Sequence, residues 1–259
     1  MGTETMNTGT EALRTGWEDT TPSDDTLTLA GLRAMADRSA GWARAAGGHT
    51  RREAGLVLAD AESPCLFLNV ATATAPLDLP AARAAVEFFP AGRPFALLSP
   101  VPTPDLSPAG LSLMGHPPFM IRPAGGAAPA LPPDVAVHEV TDPAELTVWD
   151  RVLAAGFPAP ESPAPPELLG GPTRFWLATV DGVPAAVALS HVAHGVVNVE
   201  AVAALARHRG RGLGAAVTWA ATLADPSLPA VLLASDDGIG IYRRMGYLAL
   251  TRWTMWFRT

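Results

Sequence analysis

Apolar residues fall at helical spacing most clearly at Leu213, Ala216, Val217, Ala220 and Leu223, one face of a helix that Pro226 brings to an end. Upstream, "VAVHEV" (135–140) reads as a strand, and "DPAELTVWDRVLAAGF" (142–157) as a helix opened by Thr141 or Asp142 with proline just inside. "RFWLATVDGVPAAVALSHVAHGVVNVEAVAAL" (174–205) divides into three β-rich runs at "DGVP" and "HG", the pattern of an antiparallel meander. Downstream, "AVLLAS" (230–235) is a buried strand, "GIGIYRRMG" (238–246) a short helix closed by glycine, and "YLALTRWTMWF" (247–257) a final strand. The second half therefore runs β-α-β-β-β-α-β-α-β. In the first half, "TLAGLRAMADRSAGWARAAG" (28–47) and "DLPAARAAVEFF" (78–89) predict helices. "EAGLVLAD" (53–60), "CLFLNV" (65–70) and "PFALLSPV" (94–101) predict extended runs.

Prolines crowd residues 100–133, and "RPAGGAAPALPPD" (122–134) has the composition of a connection between domains. The expected organisation is a frayed segment over 1–25, an N-terminal α/β domain over 26–121, a Pro/Gly linker over 122–133 and a second domain over 134–259. At 259 residues and 48% apolar composition the chain can bury a sizeable core. No apolar run approaches the length of a membrane span, and the polar start lacks a signal peptide's order, so a soluble, cytoplasmic protein is expected.

A formal net charge of −7 argues against general attraction to nucleic acid or anionic membrane. No lysine occurs, so all 18 basic residues are arginines, and Arg207, Arg209, Arg211, Arg243 and Arg244 gather near the C-terminus. Cys65 is the single cysteine; that excludes an internal disulfide, and its apolar surroundings read as a buried small residue.

The stretch "RHRGRGLG" (207–214) opens the helix whose apolar face was described first. A helix N-terminus offers unpaired N–H groups and partial positive charge, glycines admit a phosphate, and arginine forks hold a second one. This is the chemistry of a diphosphate site. A P-loop is excluded by the missing lysine. Gly210, Gly212 and Ala215 also satisfy G-x-G-x-x-A, with Asp236 ending the next strand, but "ALARHR" separates the glycines from their own strand, against a dinucleotide fold.

Coenzyme A is the third diphosphate ligand. "VAALARHRGRGLGAAV" (202–217) resembles the acyl-CoA motif of the GNAT N-acetyltransferase superfamily, with Arg209, Gly212 and Gly214 at its three signature positions. "LLASDDGIGIYRRMGY" (232–247) resembles that superfamily's next strand and helix, with Tyr242 four residues before Gly246 and Tyr247. The resemblance covers residues 134–259 and shares the order of elements. It departs at Ala206, where a proline is common.

The resemblance implies an α/β (α+β) GNAT fold: a mixed sheet flanked by helices, its fourth and fifth strands splayed. It implies an acetyl-CoA-dependent N-acetyltransferase acting on a primary amine of a small molecule, with direct attack on the thioester. The amides of Gly210, Arg211, Gly212, Leu213, Gly214 and Ala215 would hold the pyrophosphate, with Arg209 and Arg211 beside it. Val202, Ala203 and Ala204 would pair with the pantetheine arm at a bulge, and Ser235 would lie near that arm. Tyr242 would protonate the departing thiolate, Glu200 would act as general base through a water, and Asn198 would orient the amine. His191 or His194 is the alternative base.

The N-terminal half reads either as a degenerate second unit of the same kind in tandem or as an unrelated α/β cap. It has no cofactor motif, and it would wall the acceptor site or form a homodimer surface. A CoA-binding sensor without turnover, longer acyl transfer and decarboxylation are the competing functions.

Overall fold

The computed structural model describes residues 23–53, 55–157 and 159–258. The frayed segment expected over 1–25 lies outside these up to residue 22. Ser23 caps helix α1 (Asp24–Ala45), its hydroxyl accepting from the Thr26 amide, while Asp24 and Asp25 favour the positive end of the helix.

Strands β1 (His49–Glu53), β2 (Leu56–Asp60) and β3 (Val70–Ala73) form a meander; α2 (Leu79–Phe88) then crosses over to β4 (Phe95–Ser99), parallel to β3. A short 3-10 turn leads to β5 (Ser112–Gly115) and β6 (Pro118–Arg122). The extended run expected at 65–70 is a turn, with strand only from Val70. The fully buried Asn69 amide bends it: Oδ1 accepts from the Ala61 and Ser63 amides, and Nδ2 donates to the carbonyls of Ser63 and Pro94.

The second half follows the expected order: β7 (Val135–Val140), α3 (Pro143–Gly156), β8 (Thr173–Val180), β9 (Val183–Ala193), β10 (Val196–Ala204), α4 (Leu213–Thr222), β11 (Ala230–Leu233) and α5 (Ile239–Arg244). The single final strand predicted over 247–257 is two, β12 (Leu248–Arg252) and β13 (Thr254–Arg258), broken at Trp253. That indole is fully buried and stacks on Phe119 with ring centroids 4.8 Å apart, and its amide donates to the Pro117 carbonyl. The chain changes sheets at this point.

One sheet has the order β1-β2-β3-β4-β13-β5, the other β12-β6-β11-β10-β9-β8-β7. The two halves therefore exchange their last strands: β6 lies between β11 and β12, and β13 between β4 and β5. Strand for strand, β1-β2-β3-β4 repeats β8-β9-β10-β11, each set with one parallel pair at its end. The expected boundary at 122–133 falls between β6 and β7, but neither sheet divides there, because each is completed by the other half's last strand. The backbone pairing of β6 and β13 ties each half into the other's sheet.

Alternation along β8 sorts its side chains: Phe175 and Leu177 pack with Trp149, Leu146 and Val152 of α3, and Ala178 and Val180 share a cluster with Leu213, Val217 and Ala221 of α4. Helix α1 adds Trp42 and Ala43 on the α3 side and Leu32 and Met35 against Phe119 and Val231. A Cβ at Gly31 would stand 2.7 Å from the Phe119 ring, so that crossing requires glycine.

Candidate active site

Strands β10 and β11 are in register only at Val197↔Ala230 and Asn198↔Val231, and beyond these they separate. On its other edge β10 leaves register with β9 between Glu200 and Ala203, where Ala201 takes φ +52°. A bulge and a divergence at one place open a V between β10 and β11. Val202 lies on the wall of this opening, while Ala203 and Ala204 have already rejoined β9 at Val187 and Ala186. The C-terminus of α3 packs behind them so closely that a Cβ on Gly156 would stand 3.1 Å from the Ala203 Cβ.

Helix α4 starts at the same edge of the sheet. Its N-cap is Gly212 at φ +79°, and no side chain caps it, so the amides of Leu213, Gly214 and Ala215 have no acceptor within the helix. Gly210 also has positive φ (+77°), and a Cβ added at Gly210, Gly212 or Gly214 would project into open space with nothing within 4 Å. The space about this loop is therefore open, and its two left-handed positions suit glycine. Arg209 donates to the Gly156 carbonyl at 3.3 Å, and Arg211 pairs with Asp134 at the start of β7. The corresponding helix of the first half, α2, is closed by Asp78, whose carboxylate accepts from the Ala81 amide at 2.8 Å. An acid seated there repels a phosphate.

A cavity of about 330 Å³ joins the V to the N-terminal half. Its walls include Met35, Arg38 and Trp42 of α1, Trp149, Asp150 and Leu153 of α3, and Met255 of β13, together with Val202, Ser235 and Tyr242. Tyr242 projects from α5 and packs edge-on to Tyr247 at 5.9 Å; burial raises its phenol above the ordinary tyrosine range. The Tyr247 hydroxyl shares a 2.7 Å hydrogen bond with Thr222, and burial pushes this phenol up as well. Ser235 accepts from the Gly238 amide at 3.1 Å.

No protein-family model matches the chain, and no curated protein matches it. Solved structures do. A GCN5-related N-acetyltransferase from Kribbella flavida superposes with a TM-score of 0.65 at 24% identity, over 92% of this chain and 96% of that one. A GNAT-family protein from Novosphingobium aromaticivorans gives 0.55 at 20% identity, over 80% of this chain and 89% of that one. The chain has the GNAT fold. A conserved protein of unknown function from Staphylococcus epidermidis shares it, with a TM-score of 0.59 at 12% identity over 82% of this chain and 94% of that one.

Within the GNAT fold, the residues expected for catalysis are differently engaged. One oxygen of Glu200 takes Arg38 Nη2 at 2.5 Å, and the other takes Asn198 Nδ2 at 2.5 Å. Glu200 is thus the counter-ion of a buried arginine from the first half. Asn198, expected to orient substrate, has no exposed surface and is not on the cavity wall; it shares a strand face with Glu200, and its Nδ2 is taken up by that carboxylate. Its Oδ1 and the Arg38 Nε are buried without a partner. His191 bonds Thr173 through Nδ1 at 2.9 Å, and burial, aided by Arg38, lowers its imidazole to about 4. His194 sits in the β9–β10 turn at φ +53° and pairs with Asp37 at 2.5 Å. Cys65 is buried beside the cavity, and burial raises its thiol.

Two residues of the cavity escaped the sequence analysis. Arg38 stands between Met35 and Trp42 on the buried face of α1, and Asp150 stands between Leu146 and Leu153 on α3. A charge inside an apolar helical stripe was the available signal. Both Asp150 oxygens accept from the Ala164 amide at 3.1 Å, and burial pushes its carboxyl up to about 6. No helix among the described residues is long and apolar enough to cross a membrane.

Proposed function

We propose that the protein is an acetyl-CoA-dependent N-acetyltransferase that transfers an acetyl group directly to a primary amine of a small molecule. The observation that carries this reading is the uncapped, glycine-rich start of α4 beside the V between β10 and β11. The residues present fit coenzyme A: the Gly210–Ala215 backbone would hold the pyrophosphate, with Arg209 and Arg211 beside it, and the free edge around Val202 would hydrogen-bond the pantetheine arm.

Coenzyme A would supply the acetyl group as a thioester. The chain's own part is to align the amine nitrogen with the thioester carbon in a cavity that limits water, and to hold a proton at the Tyr242 Oη. The acceptor's ammonium would first give one proton to solvent; as the nitrogen–carbon bond forms and the carbon–sulfur bond breaks, Tyr242 would give its proton to sulfur, and its phenolate would take the second proton that the nitrogen loses. Burial keeps Tyr242 protonated until then. Acetyl-CoA titrated by calorimetry should bind at micromolar level, and a panel of amines should release free thiol; absence of binding by acetyl-CoA and by CoA would overturn the proposal.

A CoA-binding protein without turnover is the second reading. It is favoured by one observation, that Glu200 is committed to Arg38 and Asn198. Thiol release with any amine rules it out.

A further inference from the structure

The cavity wall narrows the class of acceptor. Six of its large side chains are apolar, Trp42, Phe67, Trp149, Leu153, Phe157 and Met255, and Glu161 is an exposed acid. Trp149 turns only ring surface inward, since its Nε1 donates to the carbonyls of Trp176 and Ala188. Of the charged groups, Arg38 is neutralised by Glu200. Asp150 has the Ala164 amide as its polar partner and no cation beside it among the described residues. A partly buried carboxylate without a counter-ion, set in an apolar wall, selects a cation, and the remaining wall selects an apolar body. The volume of about 330 Å³ is at the small end of sites for small molecules and accommodates one ring system with a short chain.

We propose that the acceptor is a primary amine carried on an apolar, ring-sized body, bound in this cavity with its ammonium against the Asp150 carboxylate. The inference rests on the acetyltransferase reading for the word "acceptor"; the binding it describes can be measured without turnover. The titratable and charged groups that line the cavity with Asp150 are Arg38 of α1 with its partner Glu200 of β10, Glu161 and Cys65 in loops, and Tyr242 of α5. Asp150 titrates near 6, so it loses its charge in mildly acidic solution, and amine binding should be about tenfold weaker at pH 5 than at pH 7.

The test is calorimetry on the full chain with three probes: 2-phenylethylamine, 3-phenylpropionate of like size and opposite charge, and ethanolamine, a cation without the ring. The proposal expects binding of the first alone, and at least a tenfold loss in Asp150→Asn, which keeps an acceptor for the Ala164 amide. Equal binding of 3-phenylpropionate or ethanolamine overturns it on the unaltered protein, as does unchanged affinity for 2-phenylethylamine in the variant. Acetyl-CoA titrated separately distinguishes the two claims: if acetyl-CoA fails to bind while 2-phenylethylamine binds, the enzymatic reading fails and the cation site stands; the reverse result leaves the enzyme and removes the site.

Discussion

Asp150→Asn should make the protein more stable at neutral pH even as it removes this carboxylate from the cavity. In the fold this carboxyl titrates near 6, about two pH units above an ordinary aspartate, because burial disfavours the ion. The full difference corresponds to about 3 kcal/mol, and solvent at the part-open position reduces it to about 2 kcal/mol. For a carboxyl raised on folding, the native state binds the proton more tightly than the unfolded chain. Stability from this group is therefore complete below the ordinary value near 3.8 and is lost as pH rises through 6. His191 has the opposite slope: its imidazole falls from 6.5 to about 4, so its contribution is complete above 6.5 and disappears as pH falls through 4. That contribution is also about 3 kcal/mol. The two slopes oppose each other in the natural chain. Asparagine removes one of them and keeps the acceptor for Ala164, so the variant should gain about 2 kcal/mol at pH 7.5 and show the uncompensated His191 slope from pH 6.5 down to 4. Urea unfolding followed by the fluorescence of the 7 tryptophans, at intervals between pH 4.5 and 7.5, measures both. Equal stability of the two proteins at pH 7.5, or parallel pH profiles, would refute the reasoning.

Tyr242→Phe should lower kcat about a hundredfold and leave the Kd for acetyl-CoA unchanged; a rate equal to the natural protein's removes the phenol from the reaction. Gly212→Ala should cost about 1 kcal/mol through its left-handed backbone and, by displacing the loop that carries the first α4 amides, weaken acetyl-CoA binding. Lost stability with unaltered acetyl-CoA affinity counts against a phosphate at that helix end. Arg38→Met should destabilise by about 3 kcal/mol because Glu200 is left as a partly buried, unpaired charge, and adding Glu200→Met should recover most of that loss in denaturant unfolding.

The architecture of the second half was legible because its signals are local. Apolar period, the Asp142 cap and the stops at Pro226 and Gly246 each act over a few residues, and together they place eight of its nine expected elements. The failures share a cause. Residues 65–70 are apolar enough for a strand, but Asn69 satisfies four backbone groups as a turn. Residues 247–257 read as one strand, but Trp253 finds its burial between the sheets and divides it.

The same division runs through the site. By itself the sequence determined the glycine-rich start of α4, since Gly210, Gly212 and the free amides of that helix are set by neighbours along the chain. Only the tertiary structure decided what faces the V: that Glu200 would meet Arg38 from a helix more than 150 residues away, that Asn198 would hydrogen-bond to it, and that Asp150 would reach the cavity without a counter-ion. The partner of a charge, and hence its chemistry, depends on distance in space, and here that distance was set by α1 crossing between two sheets that each complete the other.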